Sequence, residues 1–243
     1  MPVALVTGAN RGIGRATAIR LADRGYDVVV AARRLSDAHA AVDSWAPSQG
    51  RVLPVRLDVT RPEDARAAAD LVEDELGGLD VLVNNAGVLP EERPGHPRGR
   101  LDVVSFDEAV RTNLLGAVHV TDAFLRLLRE SSQGRIVNVS TSLSSMSHQT
   151  DPDSPYFATA WPGYQASKAG LNSFTVSLAK LLSGTCIKVT AVCPGFVRTE
   201  LTPGNARARR TVDEGADVVL RAATLADDAP SGQFIDARAT VPW

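Results

Sequence analysis

A tyrosine and a lysine stand four positions apart, at Tyr164 and Lys168, in a segment without helix-breaking residues between them. Residues at i and i+4 share one face of an α-helix, so the two side chains are neighbours if the segment is helical. An ammonium group beside a phenol lowers the pKa of the phenol, which makes Tyr164 a candidate to donate and accept a proton. The pair alone is a weak signal, because the same spacing arises by chance on exposed helices.

A glycine-rich loop, TGANRGIG at residues 7–14, follows a short apolar run near the start of the chain. Gly8 permits a tight turn, Gly12 permits close approach of a pyrophosphate, and Gly14 permits close helix packing. A helix that begins here would direct its N-terminus, which favours negative charge, toward that phosphate. The candidate cofactor residues of the loop are Gly8, Asn10, Arg11, Gly12, Ile13 and Gly14.

Arginines stand at the end of the second predicted strand, where NAD-binding folds often place an acidic residue for the ribose 2′-hydroxyl. The chain has Ala31 and Ala32 there, followed by Arg33 and Arg34. Together with Arg11 of the glycine loop, Arg33 is suited to clamp a 2′-phosphate. These residues predict NADP(H) rather than NAD(H); Arg34 is either a second phosphate ligand or a solvated surface charge.

Two further strand ends carry candidate ligands. Asp58 and Val59 follow the third strand, and the Asp58 carboxylate either accepts from an adenine amino group or caps the helix that begins near Pro62. The sequence NNAG at residues 84–87 follows the fourth strand, where a glycine lets the chain turn beside a ligand. The candidates of that turn are Asn85, Ala86 and Gly87.

Strand-like and helix-like segments alternate along the chain, and the strands are continuous apolar runs. Such runs are typical of a parallel sheet covered by helices on both faces, so we predict a single-domain, doubly wound α/β Rossmann fold over residues 1–243. The predicted strands are 3–7, 27–32, 51–57, 79–83, 135–139, 187–192 and 232–235. The predicted helices are 14–24, 36–45, 63–76, one or two within 105–130, 163–182 and 212–224.

Two stretches break this rhythm: residues 89–100 read as a surface loop, and residues 144–162 as a polar insert beside the predicted site. The formal net charge of −2 and the 5% aromatic content argue against a nucleic-acid partner. Cys186 and Cys193 lie in an apolar run and read as buried thiols of a reducing compartment. No signal peptide, membrane span or metal site is expected, and we predict a cytoplasmic protein.

Taken together, these motifs resemble the short-chain dehydrogenase/reductase family over nearly the whole chain. The glycine loop, the NNAG turn and the Tyr164/Lys168 pair match the family pattern, and Asn113 matches its catalytic asparagine. The segment that binds the nicotinamide matches at Pro194, Gly195, Val197 and Thr199. The resemblance is greatest to carbonyl reductases that act as monomers, which implies a monomer whose insert at 144–162 covers the usual subunit contact.

The chain departs from the family pattern at the hydroxyl that holds the substrate carbonyl. The family reads Asn-Val-Ser-Ser, whereas this chain reads Asn138-Val139-Ser140-Thr141-Ser142. The register assigns the catalytic hydroxyl to Thr141, and a shift of one residue would assign it to Ser142. Threonine donates the same hydrogen bond as serine from a stiffer side chain.

The resemblance implies NADPH-dependent reduction of a ketone, aldehyde or quinone, with Tyr164 as proton donor and Lys168 holding the ribose and lowering the Tyr164 pKa. The alternative is a non-catalytic NADP-binding sensor or scaffold. The reason to consider it is that Thr141 stands where the family has serine. The insert and chain end supply aromatic and thioether groups that either wall an apolar substrate pocket or anchor the insert. These residues are Met146, Tyr156, Phe157, Trp161 and Trp243.

Overall fold

The computed structural model describes residues 1–45, 49–97 and 99–243. In these residues, seven parallel strands form one sheet in the order β3-β2-β1-β4-β5-β6-β7. The strands are β1 (Val3–Thr7), β2 (Asp27–Ala32), β3 (Val52–Arg56), β4 (Val81–Asn84), β5 (Arg135–Val139), β6 (Lys188–Val192) and β7 (Gln233–Ile235). The order reverses between β1 and β4, where the chain crosses from one half of the sheet to the other. The predicted Rossmann fold is confirmed.

The described part of the chain has eight α-helices, six of which cover the two faces of the sheet. The eight helices are α1 (Gly12–Ala22), α2 (Leu35–Asp43), α3 (Pro62–Leu76), α4 (Val103–Val110), α5 (Gly116–Glu130), α6 (Met146–Thr150), α7 (Pro162–Leu181) and α8 (Val212–Ala223). One apolar cluster joins the sheet to α3, α5 and α7, and the other joins it to α1, α2 and α8. Neighbouring strand residues such as Leu5 and Val6 belong to opposite clusters. Both faces are therefore buried, which is why the strands are apolar throughout.

The helix predicted within 105–130 is continuous but changes its winding at the centre. Asp102 caps its start by accepting from the Val104 N–H, so the helix begins earlier than the pattern indicated. Between α4 and α5, the residues Arg111–Leu115 form a π-helical turn that contains the predicted catalytic residue Asn113. Such π-turns insert one residue into a helix and are frequent at functional sites.

The stretch predicted as a surface loop over residues 89–100 is buried where it begins. Leu89, Pro90 and Glu91 are buried, and Pro90–Glu92 form a short 3₁₀ helix. Arg98 lies outside the described residues. The loop prediction was wrong for these first positions because polar and proline residues indicate the lack of a regular element, not the exposure of the chain.

Residues 144–162 contain α6 and otherwise turns. The N–H and hydroxyl of Ser147 both donate to the Trp243 carbonyl, so the chain end lies against α6. The Trp243 ring stacks on Phe234 of β7 with centroids 5.5 Å apart. Met146 and Phe157 remain 56% and 49% exposed. The aromatic anchor of this region is therefore the chain end, while two apolar side chains of the insert face outward.

The prediction of two buried cysteines holds for Cys193 only. Cys186 is exposed, since it lies in the turn before β6 and not within the strand. Both thiols are free. None of the helices in the described ranges is long and apolar enough to cross a membrane.

Candidate active site

A cleft of about 930 Å³ opens along the carboxyl edge of the sheet, where the strand order reverses. Ligands of open α/β sheets bind at this position because the loops diverge there on either side of the edge. All the predicted cofactor residues line the cleft, as do Thr141, Tyr164 and Lys168. Two predicted catalytic residues, Asn113 and Ser142, are not part of its wall.

The glycine loop follows β1 and turns directly into α1. Gly8 and Gly12 have φ values of +62° and +54°, which side-chain-bearing residues rarely adopt. A Cβ on Gly14 would lie 2.4 Å from the Asn85 amide nitrogen and 2.6 Å from the Gly8 carbonyl oxygen. The N-cap residue of α1, Arg11, makes no side-chain cap, so the first N–H groups of the helix face the cleft without a capping oxygen. This arrangement suits a bound pyrophosphate.

The NNAG turn is fixed to the glycine loop by hydrogen bonds that Thr7 accepts. The Thr7 hydroxyl accepts from the N–H groups of Asn85 and Ala86 at 2.9 Å and 3.0 Å. The Asn85 side chain donates to the Thr7 carbonyl at 2.8 Å. The two loops that border the crossover therefore form one rigid unit, which holds the floor of the cleft in place.

Four arginines surround the far end of the cleft. Arg33 is exposed and has no hydrogen bond or ion pair with any described residue, whereas Arg34 forms two bonds to Asp37. Arg11 donates to the Glu200 carbonyl at 3.3 Å. Arg15, which the sequence patterns did not single out, donates to the Ser44 hydroxyl at 3.0 Å. Arg33 is thus the cation with the most freedom to meet a bound anion.

Asp58 lines the cleft, and its carboxylate accepts from the N–H and hydroxyl of Thr60 at 3.0 Å and 2.7 Å. The helix α3 has Arg61 at its N-cap position without a side-chain cap. The alternative role of Asp58 as a helix cap is therefore not realised. Its carboxylate instead closes a turn at the rim, next to Val59.

Tyr164 and Lys168 lie on the first two turns of α7 and are 9% and 4% exposed. The Lys168 ammonium donates to the Val139 carbonyl at 2.6 Å. Burial lowers the pKa of Lys168 to about 8. The pKa of Tyr164 is raised, first by burial and then by the nearby Cys193 and Glu91.

The expected lowering of the Tyr164 pKa by Lys168 is therefore not found. The physical reason is that burial of the phenol dominates, while Cys193 and Glu91 raise the pKa further. A phenol with a raised pKa stays protonated at neutral pH, which is the form that donates a proton.

Asn113 stands behind the cleft wall and connects three segments. Its side-chain oxygen accepts from the Val88 N–H at 2.8 Å, and its amide group donates to the Val88 carbonyl at 2.9 Å and the Ser167 hydroxyl at 3.0 Å. A Cβ on Gly87 would lie 3.2 Å from the Asn113 oxygen and 3.5 Å from the Lys168 ammonium. The Asn113 oxygen and the Lys168 ammonium thus both lie beside Gly87. Asn113 is buried and supports this turn from the interior of the fold.

Two neighbouring hydroxyls after β5 have different environments. Thr141 faces the cleft, and its hydroxyl oxygen accepts from the Leu143 N–H at 3.3 Å. Ser142 is buried and its hydroxyl donates to the Cys193 sulfur at 3.2 Å. The geometry brings Thr141, and not Ser142, to the wall of the cleft. The sequence could not separate them, because a shift of one residue leaves the composition unchanged.

The segment after β6 closes the cleft opposite the glycine loop. Gly195 has a φ value of +82°, and Arg210 donates to the Pro194 carbonyl at 2.8 Å. The Asn205 amide donates to the Val197 carbonyl at 2.8 Å. These bonds hold the Pro194 and Val197 carbonyls of the predicted nicotinamide segment at the edge of the cleft, which Thr199 also lines.

A family model described as short chain dehydrogenase matches residues 2–210. The chain belongs to the short-chain dehydrogenase family. It is 38% identical over 229 residues to the short-chain dehydrogenase anuI of Penicillium roqueforti, covering 92% of this chain and 88% of that protein. It is 31% identical over 283 residues to the NADPH carbonyl reductase 1 of Mus musculus, covering 100% and 98%. Salutaridine reductase from Papaver somniferum superposes with a TM-score of 0.83 at 28% identity, covering 96% and 99%.

Membership of the short-chain dehydrogenase family confirms the predicted resemblance and makes the protein an oxidoreductase of the kind that uses nicotinamide cofactors. The cleft of this dehydrogenase fits such a cofactor: an uncapped helix start, glycines where a side chain would clash, and a buried tyrosine and lysine beside the turn at Gly87.

The structure also shows residues that the motifs of the dehydrogenase did not reveal. Glu91, whose carboxylate accepts from the Tyr164 N–H at 2.9 Å, is the foremost of them. Ser167 holds Asn113, and Arg15 adds positive charge near Arg33. The sequence shows Glu91 only as an acidic residue after Pro90. It does not reveal the contact that Glu91 makes with Tyr164, 73 positions away.

Proposed function

We propose that the protein uses NADPH to reduce the carbonyl group of a ketone, aldehyde or quinone to an alcohol. The observation that carries this proposal is the arrangement of one cleft with two chemically different ends. Thr141, Tyr164 and Lys168 lie at one end, and Arg33 stands without an ionic partner among described residues at the other. Proton transfer at one end and anion binding at the other are the two requirements of such a reductase.

The choice of NADPH rests on the charges near the end of β2. A ribose 2′-phosphate bound beside Arg33 would gain charge-assisted hydrogen bonds that a 2′-hydroxyl cannot make. Asp37, a carboxylate that lines the cleft, is already bonded to Arg34. It is therefore engaged, while Arg33 has no ionic partner among the described residues.

When bound, the nicotinamide supplies the hydride. The residues of this chain do the rest: Tyr164 donates its proton to the carbonyl oxygen as negative charge develops there. Thr141 donates a hydrogen bond to the same oxygen, which stabilises the charge where it appears. Lys168 is a cation below its pKa of about 8 and is placed to donate hydrogen bonds to the ribose hydroxyls of the cofactor. Asn113 fixes the backbone at Val88 and Gly87 beside Lys168, and we assign it support of a water that returns the proton.

We propose that residues 144–162, which precede Tyr164 in the chain, are an insert that shapes the substrate side of the cleft. The Trp161 ring meets the Tyr164 ring edge-on, with centroids 6.4 Å apart. Met146 and Phe157 offer exposed apolar surface on the same segment. These side chains favour an apolar or aromatic carbonyl compound over a charged one.

The first test is fluorescence titration with NADPH and NADH, followed by absorbance assays with aryl ketones, aldehydes and quinones. Tighter binding of NADPH with turnover is the expected result. Tyr164→Phe should then lose turnover and keep NADPH affinity, because only the phenolic hydroxyl is removed. NADPH binding without turnover of any carbonyl would instead support a sensor or scaffold. A preference for NADH would contradict the role given to Arg33.

We further propose that the protein is monomeric, with residues 144–162 covering a surface that pairs subunits in related enzymes. A mass by light scattering that doubles or quadruples the 25.7 kDa of the chain would contradict this. The cytoplasm is the compartment we propose, since both cysteines are free thiols.

A further inference from the structure

We propose that Glu91 is a positioning residue whose carboxylate anchors the first turn of α7 and thereby sets where Tyr164 stands in the cleft. Neither the motifs nor the mechanism given above uses Glu91. The proposal rests on the proposed reductase function, since its kinetic readout is the proton transfer by Tyr164.

The anchor is a direct hydrogen bond between distant parts of the chain. The Tyr164 N–H donates to the Glu91 Oε1 at 2.9 Å in a buried setting. Trp161, the N-cap residue of α7, makes no side-chain cap, and its own N–H donates to Gln165 Oε1 at 2.8 Å. The third residue of a helix normally bonds to a side chain at the cap position. Glu91 fills that role from the loop after β4.

The surroundings are shaped for this carboxylate. A Cβ on Gly163 would lie 2.9 Å from the Glu91 Oε1 and 2.7 Å from the Phe106 Cα, so the glycine leaves room for the approach. Glu91 is only 9% exposed, and its second oxygen has no hydrogen bond with a described residue. A buried carboxylate is costly unless positive charge compensates it, and the N-terminus of the 20-residue helix α7 supplies such charge.

The anchor connects the two sides of the reaction centre. Glu91 follows Gly87 and Val88 closely in sequence, and Val88 is fixed by Asn113. The same short segment thus borders the cleft at Gly87 and holds the helix that carries Tyr164. Loss of the carboxylate frees the first turn of α7 while leaving the glycine loop and the arginines untouched.

Several titratable groups surround this part of the site. Lys168 on α7, Cys193 after β6 and Glu91 on the 3₁₀ helix surround Tyr164, and Glu108 of α4 lines the same cleft while paired with Arg93. Glu91 also borders a cavity of about 260 Å³ whose other charged or titratable lining groups are Glu92, Arg93, His96 and Arg207. The negative charge of Glu91 contributes to the raised Tyr164 pKa.

The test compares Glu91→Ala and Glu91→Gln with the control Glu92→Ala. Glu92 is the next residue of the same turn and is only partly buried. Glu91→Ala should lower kcat by about tenfold or more with the KM for NADPH within about twofold, because displacement of a reacting group reduces rate more than binding. Glu91→Gln keeps an acceptor oxygen for the Tyr164 N–H and should retain kcat within about threefold. Glu92→Ala should match the wild type.

The pH profile separates positioning from a merely structural role. Reduction uses protonated Tyr164 and charged Lys168, and removal of a nearby negative charge lowers the pKa of a phenol and of an ammonium group alike. Glu91→Gln should therefore move the alkaline loss of activity to lower pH, while Glu92→Gln should not. An unchanged profile in Glu91→Gln together with a kcat of Glu91→Ala near the wild-type value would overturn the proposal.

A measurement that does not depend on turnover tests the role of Glu91 separately from the reductase proposal. The chain has 3 tyrosines, so incorporation of 3-fluorotyrosine gives three ¹⁹F resonances, and Tyr164→Phe identifies one of them. Glu91→Ala should shift or broaden the Tyr164 resonance, whereas Glu92→Ala should leave it in place. If the wild type reduces no carbonyl, the reductase proposal fails and the resonance still decides the anchor. If Glu91→Ala does not fold, Glu91→Asp takes its place, because its carboxylate is one methylene group shorter and draws back from the Tyr164 N–H. An unchanged kcat and an unchanged Tyr164 resonance in Glu91→Asp would overturn the proposal.

Discussion

At the scale of single residues, chemistry depends on which of several similar side chains faces the cleft. Thr141 and Ser142 are adjacent hydroxyls, yet one lies in the cleft wall and the other bonds to the Cys193 sulfur. Arg33 and Arg34 are adjacent cations, yet Asp37 engages only Arg34. The direction in which each side chain points thus distinguishes adjacent residues of similar chemical type.

Thr141→Ala should lower kcat for carbonyl reduction by about a hundredfold, which is typical for loss of one donor to a developing oxyanion. Thr141→Ser keeps the hydroxyl and should stay within about threefold of the wild type. Steady-state kinetics at saturating NADPH measures both. A larger loss in Ser142→Ala than in Thr141→Ala would show that the catalytic hydroxyl is Ser142.

Arg33→Ala should raise the KM for NADPH by about tenfold to a hundredfold and leave the KM for NADH nearly unchanged. The reason is that charge-assisted hydrogen bonds to the 2′-phosphate disappear, and NADH has no such group. Arg66→Ala, which removes an exposed arginine of α3, controls for net charge. Equal changes for both cofactors would remove Arg33 from 2′-phosphate recognition.

At the scale of elements, the site depends on how closely loops approach each other at the carboxyl edge of the sheet. Thr7 bonds the NNAG turn to the loop after β1, and the contact has no space for an additional atom at Gly14. The start of α1 and the end of β4 are therefore one structural unit. Its glycines serve packing as well as ligand approach.

Gly14→Ala should lower the free energy of unfolding by about 1–3 kcal/mol, as overpacking of a close contact does. It should also weaken NADPH binding, since the Gly8 carbonyl and the Asn85 amide must move. Gly78→Ala is the matched control, because a Cβ there meets nothing within 4 Å. Urea unfolding and NADPH titration of the two variants provide the comparison; equal stability would contradict the close contact.

At the scale of the whole molecule, the fold buries a cation beneath its active site. Lys168 is 4% exposed, and burial lowers its pKa from 10.5 to about 8. The unfolded chain therefore holds more protons than the folded one between pH 8 and 10.5. Where the unfolded state binds more protons, stability rises with pH, so the contribution of Lys168 to stability improves across this window.

Lys168→Met removes this titration. The contributions of the other titratable groups to the pH dependence of stability then cancel when the variant is compared with the wild type. From pH 7 to pH 9, the free energy of unfolding of the wild type should rise by about 1 kcal/mol relative to the variant. Urea unfolding at the two pH values measures the difference. A difference that stays flat with pH would mean that Lys168 titrates outside this window.

The order of the strands belongs to the same scale and was not predicted. Apolar runs and helical periodicity indicate faces and classes of elements, and they located all seven strands within a few residues. They do not state which strands are neighbours, because the hydrogen bonds of a sheet join distant segments. The crossover between β1 and β4 therefore emerged only from the structure.

The sequence by itself determined the fold class, the family and the identities of most cleft residues. It could do so because ligand-binding residues of a parallel sheet lie at strand ends, where local motifs mark them. Tertiary structure alone decided that Glu91 holds the Tyr164 turn, that Thr141 and not Ser142 faces the cleft, and that burial raises the Tyr164 pKa. Each of these depends on contacts or desolvation between segments far apart in the chain, which no local pattern records.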